Sequence, residues 1–412
     1  MKKKILKIIY FILAFFTRFY LSRTKPFIIG ITWSVWKTSC RMIVYQILKQ
    51  YEKEKIIYTS PKNFNSELWL VFSIFKIESF SPWIISLLRM VLNIFYKSFF
   101  MKKSYDILLL EYWVDHPWDM DFLLTVAKPD ISIFTKLDSI HIENFDIIDW
   151  IFNEKLKLIY NTKKKVFLNF NDNYQKNIFE KIKIEKEFYW KNTVSFSYVL
   201  DKQNIKSEIT ILDKKIKTNI LWSENFLYID LWLKILDYLK INYPKNINID
   251  FKNQWWRFSI FKWINDSVLI DSTYNAWPES MKKMIDNTLS LREKLFSDYK
   301  IIFMIWDMRE LWDFSKEKHI ELYNYLKDKW AIISVWKETE KYFWKEVVNF
   351  KLSIDAWKYL KWLLEKNSDK YIVLFKWSQN TIFVEEALKQ VLLEKNDIEK
   401  LVRQDKFWLA KK

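Results

Sequence analysis

The stretch FIIGITWSVWKTSC, residues 27–40, decides how this chain is read. It opens as an apolar, isoleucine-rich run, the pattern of a strand buried on both faces of a parallel sheet. It closes on Lys37-Thr38, the pair that ends a phosphate-binding loop between a strand and a helix. In such a loop Lys37 faces the β- and γ-phosphates and the Thr38 hydroxyl takes Mg²⁺. Phosphate is cradled there by backbone N–H groups, so the bends need residues without side chains. Trp33 and Trp36 stand at those bends, and two indoles would fill the space that the phosphates require.

The composition bears on this conflict. The 412 residues include 1 Gly and 23 Trp, where ordinary usage gives about 29 Gly. Turns and helix ends depend on glycine, and many of the tryptophans stand in turn contexts: HPWDM, LWDFS, FKWSQ and NAWPES. The two counts, 23 and 1, sum to 24, close to an ordinary glycine content. Some bacterial lineages use UGA as a glycine codon, and a translation table that assigns it to tryptophan would write this sequence. Residues 30–39 then become G-I-T-G-S-V-G-K-T-S. The other reading is a truly Trp-rich protein. Residue names are kept here as written.

With 50% hydrophobic and 28% charged residues, the chain is globular and long enough for two or three domains. A net charge of +17 points to an anionic partner: a nucleotide, a sugar diphosphate or a membrane surface. The charges are spread along the chain and form no basic arm, so no nucleic acid is expected. The single Cys40 excludes a disulfide framework and fits a reducing cytosol. The opening MKKKILKIIYFILAFFTRFYLSRTKP sets basic ends around an apolar run, Ile8 to Phe16, that is too short to span a bilayer. It carries no small-residue cleavage site. It reads as a packing helix or an interfacial one, and residues 1–22 are a candidate contact with the inner face of the membrane. A second apolar-basic run, residues 83–103, is either an ordinary buried helix or part of the same surface.

The fold class is α/β. Strands are expected over Lys25–Thr32, Tyr105–Glu111 and Pro129–Lys136, with a helix over Lys37–Gln50. Residues 165–220 carry several short strand-like runs, and Asn225–Leu239 reads as a helix. Beyond NQWWRF (253–258), a linker if both tryptophans are glycine, the alternation restarts. SVLIDST, KIIFMIWDM, AIISVW and YIVLFK read as strands; 278–298, 316–328 and 381–393 read as helices.

Taken with glycine at 33 and 36, the loop has the form G-x-T-G-x-x-G-K-T and resembles the Mur ligase family, whose members use ATP to build the peptide stem of peptidoglycan. Further segments carry the same resemblance. TSPKNFNSELWL (59–70) is similar to the family's N-x-E-x-G loop through Asn65, Glu67 and Trp69. LLEYWVDHPWDMDFL (109–123) is similar to E-x-G-x-x-x-P-G-E-[IM], and KPDISIFTKLDSIHIENF (128–145) to R-P-D-I-A-V-I-T-N-I-x-x-x-H-L-E-x-F. IDSTYNAWPESM (270–281), IWDMRELWDFSKEKH (305–319) and LFKWSQNTIFVEEAL (374–388) resemble, in order, motifs of the members that add D-alanyl-D-alanine. The resemblance covers residues 26–393.

It implies a central ATPase domain with a phosphate loop and a mostly parallel sheet, residues 26–252. A C-terminal Rossmann-like α/β domain follows over 253–412 and closes over the ATP. The usual N-terminal UDP-sugar domain has no counterpart in residues 1–25. ATP would lie on Gly30, Thr32, Trp33, Ser34, Val35, Trp36, Lys37, Thr38 and Ser39. Mg²⁺ would lie on Thr38 and Glu111, and a second Mg²⁺ on His141 and Lys155, with Lys155 at the family's carbamylated position. Asn225 would sit near the adenine, Arg257 near the γ-phosphate, and Asp271, Tyr274 and Asn275 on the ATP-facing loop of the C-terminal domain. Lys37, His141, Lys155 and Arg257 are the implied catalytic set. Glu224 and Tyr228 replace a His and an Asn of the adenine motif, and Phe258 replaces the family's Glu after the arginine.

The function this implies is an ADP-forming amide ligase of peptidoglycan-precursor synthesis. ATP activates a peptide carboxylate as an acyl phosphate, and a D-Ala-D-Ala-like amine attacks it. The acceptor would be UDP-linked or lipid-linked. The readings that stay open are a Mur-type ligase on a different acceptor and a non-catalytic, membrane-associated nucleotide-binding protein.

Overall fold

The computed structural model describes residues 2–32, 37–60, 68–77, 84–114, 118–136, 145–191, 194–201, 204–251, 259–262, 264–273, 276–309, 311–344 and 347–377, with residues 392, 398 and 401. Two compact units result. The first is Met1–Val194 with Ile211–Lys214 and Asn225–Ile247; the second is Ser195–Thr210, Lys215–Glu224 and Asn248–Lys412.

The chain opens with α1 (Lys2–Thr24). Leu13, Ala14, Thr17, Tyr20, Leu21 and Thr24 recur on one helical face and are buried. The helix stops where Lys25 turns left-handed (φ 45°) and Pro26 follows. Then come β1 (Phe27–Thr32), α2 (Lys37–Tyr51), β2 (Ile57–Thr59), α3 (Leu68–Phe75), α4 (Ile84–Phe100), β3 (Ile107–Glu111), α5 (Asp119–Val126) and β4 (Ile131–Phe134). They are followed by α6 (Phe145–Tyr160), β5 (Lys165–Asn169), α7 (Asn173–Phe179) and β6 (Glu185–Tyr189). The six strands form one parallel sheet in the order β2-β3-β1-β4-β5-β6. Strands β1, β3, β4 and β5 are buried almost throughout, as their unbroken apolar runs predict. The chain runs outward from β1 to β2, returns through α3 and α4 to β3, and passes over β1 to β4. That reversal at β1 makes its carboxyl end the place where an open α/β sheet receives a ligand.

A four-stranded sheet, β7 (Val194–Asp201), β8 (Asn204–Ile211), β9 (Lys214–Thr218) and β10 (Asn246–Ile249), runs in the order β10-β9-β8-β7. Helix α8 (Leu227–Tyr238) lies between β9 and β10 in sequence. The second unit continues with β11 (Ser259–Lys262), β12 (Val268–Ser272), α9 (Pro278–Leu295), β13 (Lys300–Trp306), α10 (Ser315–Leu326) and β14 (Ala331–Val335). It ends, among the described residues, with α11 (Lys337–Tyr342), β15 (Val347–Phe350), α12 (Ser353–Lys366) and β16 (Tyr371–Lys376). Its sheet has the order β11-β12-β16-β13-β14-β15, parallel except for β11 against β12.

The main strands and helices fall within a few residues of their expected positions. Three differences have local causes. The run 165–220 is interrupted by α7, whose start is capped by Asp172 accepting from the Gln175 N–H at 3.1 Å. Ser223–Asn225 form a 3₁₀ turn, so the regular helix begins at Leu227. The polar segments that become β11, β15, α11 and α12 lack the long apolar runs that mark the other elements. The expected linker 253–258 and, apart from Leu392, the expected helix 381–393 lie outside the described residues.

Two features of the tryptophans are those expected where tryptophan is written in place of glycine. Trp118 (φ 76°), Trp190 (φ 66°) and Trp336 (φ 95°) adopt positive φ. Trp336 pairs its φ with ψ −174°, a region that only glycine enters without strain. The indole N–H groups of Trp113, Trp232, Trp357 and Trp377 are buried with no acceptor among the described residues, whereas buried Trp N–H groups ordinarily find one. Trp306 does, donating to Ser353 Oγ at 3.2 Å.

Candidate active site

The site is built from the carboxyl end of β1. Gly30 lies within that strand. A Cβ there would meet the Tyr112 ring at 2.9 Å and Pro129 at 3.0 Å, so close packing against the sheet face requires the glycine. Thr32 is fully buried and donates to the Tyr112 carbonyl at 2.9 Å, which fixes the strand exit against the end of β3. Trp33, Ser34, Val35 and Trp36 lie outside the described residues.

Lys37 opens α2, and Thr38 and Ser39 follow in its first turn, half-buried. Lys37 is buried, and its Nζ lies 4.1 Å from the centre of the Trp113 ring. One turn on, Arg41 is also buried. Its Nε donates to Glu111 Oε1 at 2.5 Å, and its Nη1 donates to Thr59 Oγ1 at 2.7 Å and to the Ser60 carbonyl. Glu111 ends β3 in register with Ile31 of β1. Two cations four residues apart therefore face the end of β3 from the start of α2. That helix has no acidic residue in its first turn, and its amino end adds its own positive field. Among the described contacts, Glu111 is the carboxylate paired with this cluster, through Arg41. Cys40, between the two cations, is buried, and burial followed by the Glu111 charge pushes its thiol pKa well up. It is a packing residue rather than a nucleophile.

Lys155 lies on α6, buried. Beside it Glu154 is buried and Lys157 bonds both Glu154 and Asp121, the latter at 2.5 Å. Burial opposes the Lys157 charge, yet the bonds to Asp121 and Glu154 prevail and hold its pKa above the usual lysine value. The second oxygen of Glu154 is buried without a partner among the described residues. Asn225 closes its 3₁₀ turn buried, and its Oδ1 likewise has no donor among the described residues. His141 lies outside them.

In the second unit, Asp271 and Ser272 end β12 beside Lys376, which ends β16 in register with Ser272. Asp271 is fully buried and accepts from the Thr273 N–H and hydroxyl at 2.9 and 2.7 Å. Lys376 is buried, with Nζ 3.3 Å from the Ser272 carbonyl. Arg257, Tyr274 and Asn275 lie outside the described residues. The structure thus joins Lys37 and Glu111 in one neighbourhood through Arg41 and Trp113, and places Asp271 at a strand end with Lys376. Sequence reading missed Arg41 and Lys376. The i, i+4 spacing of Lys37 and Arg41 on an expected helix was a signal for the first; Lys376, the last residue of an expected strand, was a signal for the second.

Residues 31–224 match the Mur ligase middle domain. Over that stretch the chain resembles the Mur ligases, a family of ATP-dependent acid–amino-acid ligases. Within that class its fold is that of MurF. It superposes on MurF ligase from Thermotoga maritima, solved in complex with ADP, with a TM-score of 0.69 at 21% identity, over 94% of this chain and 84% of that one. MurF from Acinetobacter baumannii gives a TM-score of 0.68 at 16% identity, over 94% and 80%. A folylpolyglutamate synthase from Thermotoga maritima is more distant, with a TM-score of 0.51 at 14% identity over 88% and 90%. Among the described residues no helix is long and apolar enough to cross a membrane.

Proposed function

We propose that this protein spends ATP to join a D-alanyl-D-alanine-like amine to a peptide carboxylate of a peptidoglycan precursor. The observation that carries the reading is the buried Lys37 at the start of α2, next to the Arg41–Glu111 pair at the end of β3, inside a Mur ligase middle domain. The carboxylate oxygen attacks the γ-phosphorus and ADP leaves. The amine nitrogen then attacks the acyl-phosphate carbon, and inorganic phosphate departs as the tetrahedral adduct collapses. Both steps gather anions, so fixed cations stabilise the transition states more than the ground states.

Lys37 holds the β- and γ-phosphates, and Arg41 keeps Glu111 in position. Arg41 occupies Glu111 Oε1, which leaves the second oxygen to act with the Thr38 hydroxyl. Two hard oxygen donors suit Mg²⁺, which when bound there supplies charge neutralisation at the phosphates. His141 and Lys155, the latter carbamylated, would hold a second Mg²⁺. The Asn225 Oδ1, which has no donor among the described residues, suits the adenine amino group as a donor. Arg257 is assigned to the γ-phosphate, and Asp271, Tyr274 and Asn275 to a loop that faces ATP. The working division is residues 26–252 for ATP and 253–412 for the C-terminal domain.

Phosphate release from ATP by the full chain tests the reading. It is expected to require both UDP-MurNAc-tripeptide, or its lipid-linked form, and D-Ala-D-Ala. Lys37→Met should lower it by about 10²–10³-fold. Release that depends on neither acceptor nor amine overturns the proposal.

A further inference from the structure

Helices α1 and α4, sixty residues apart in sequence, pack side by side. Phe16 meets Phe95 at 5.1 Å between ring centres, Phe19 meets Phe99 at 4.6 Å, and Arg23 donates to the Ser98 and Met101 carbonyls at 3.2 and 2.5 Å. Each helix buries one stripe in the first unit: Leu13, Ala14, Thr17, Tyr20 and Leu21 from α1; Met90, Ile94 and Ser98 from α4. Each also carries a second apolar stripe on its opposite face. On α1 that stripe is Ile8, Phe11, Ile12 and Phe15; on α4 it is Leu88, Leu92, Phe95, Tyr96, Phe99 and Phe100, all exposed. The extremes are Phe11 at 61% and Phe100 at 66% exposure. An apolar surface of this extent marks an interaction face rather than ordinary scatter.

The charge on these helices selects the occupant. Neither contains an acidic residue. The sequence places Lys2, Lys3, Lys4 and Lys7 in the first turns of α1, and Arg18 and Arg89 are exposed on the stripe side. Lys102 continues the basic rim past α4. An isologous pairing with a second copy would set this rim against itself. An apolar face edged by cations, on two helices that carry no carboxylate, matches instead the acyl–headgroup boundary of an anionic bilayer.

We propose that the joint face of α1 and α4 docks this protein on an anionic membrane surface, lying in the interface without crossing it. This goes beyond the ligase reading and stands without it, since docking needs no ATP. The test is density-gradient flotation of the full chain with phosphatidylcholine vesicles, with and without one-third phosphatidylglycerol. The protein should float with the anionic vesicles, less at high salt, and poorly with phosphatidylcholine alone. Phe15→Glu with Leu92→Glu should reduce binding at least about tenfold while leaving the unfolding midpoint near its original value, because both side chains are exposed. Arg18→Glu with Arg89→Glu should weaken only the phosphatidylglycerol-dependent part. Three results overturn the proposal: no flotation, flotation unchanged by the glutamates, or a dimer in solution that the same glutamates dissociate.

Discussion

Arg41 Nε lies 2.5 Å from Glu111 Oε1, and this ion pair ties the second turn of α2 to the end of β3. The Arg41 side chain is 2% exposed and that of Glu111 15%. Removing one partner of such a pair leaves the other charged and poorly solvated, which costs more than the pair itself contributes. Arg41→Met should therefore lower stability by about 2–4 kcal/mol, read from urea denaturation. Arg41→Met with Glu111→Leu should recover a good part of that loss. A loss under about 1 kcal/mol for the single variant would show that water reaches Glu111 freely.

That pair also shows how far the sequence is legible. The buried strands could be read because β1, β3, β13 and β16 are continuous apolar runs. Lys37, Thr38 and Glu111 could be read because phosphate chemistry fixes residue types at a strand–loop–helix junction. Arg41 shares a helix face with Lys37 in the sequence, but its pairing with Glu111 depends on register: β3 must lie beside β1 before the end of β3 meets α2. Lys376 depends in the same way on β16 pairing with β12. The amphipathic character of α1 was hidden because both its faces are apolar, and only burial separates Leu13 and Leu21 from Phe11 and Phe15.

Lys155 is buried on α6 next to the buried Glu154. If it acts as a carbamate on a second Mg²⁺, the functional group is an anion and not an ammonium. Lys155→Ala should then lower ligation by about tenfold to a hundredfold, and Lys155→Glu should restore part of the rate by supplying a carboxylate. Bicarbonate-free buffer should slow the unsubstituted enzyme and leave Lys155→Glu unaffected. Equal activity of the two variants would remove Lys155 from the chemistry.

Trp118 is 75% exposed with φ 76°, and Trp336 combines φ 95° with ψ −174°. A left-handed residue with a Cβ costs about 1–2 kcal/mol, and the Trp336 conformation about 1–3 kcal/mol. In protein carrying the sequence as written, Trp118→Gly should raise stability by about 1 kcal/mol, since little packing is lost at an exposed ring. Trp336→Gly gains more from the backbone but gives up stacking on Trp377, 5.6 Å away. Intact mass of the protein from its own cells decides the matter: a mass matching 23 Trp would refute the glycine reading, and the codons at 33, 36, 118 and 336 would agree.

His319 is fully buried in the second unit, where its Nε2 accepts from the Met308 N–H at 3.0 Å and its Nδ1–H donates to the Ser315 carbonyl at 2.7 Å. A proton added at Nε2 would break the first bond and place a charge out of water. Burial lowers its pKa below the ordinary 6.5, against the pull of the Ser315 carbonyl and the nearby Asp307. Below 6.5 the unfolded chain therefore binds the proton first, so stability falls as pH drops from there toward the folded-state value. Asp307 acts in the opposite sense. Burial raises its pKa although the Glu338 and Thr339 N–H groups, at 2.9 and 2.8 Å, favour its charge. Its protonated form is relatively better accommodated in the folded state, and that contribution is lost as pH rises through its raised value. The His319 effect lies nearer neutrality, so the unfolding midpoint should decline on acidification just below pH 6.5, and His319→Gln should flatten that decline because a neutral amide oxygen can keep the Met308 bond. An unchanged slope in His319→Gln would assign the decline to other groups.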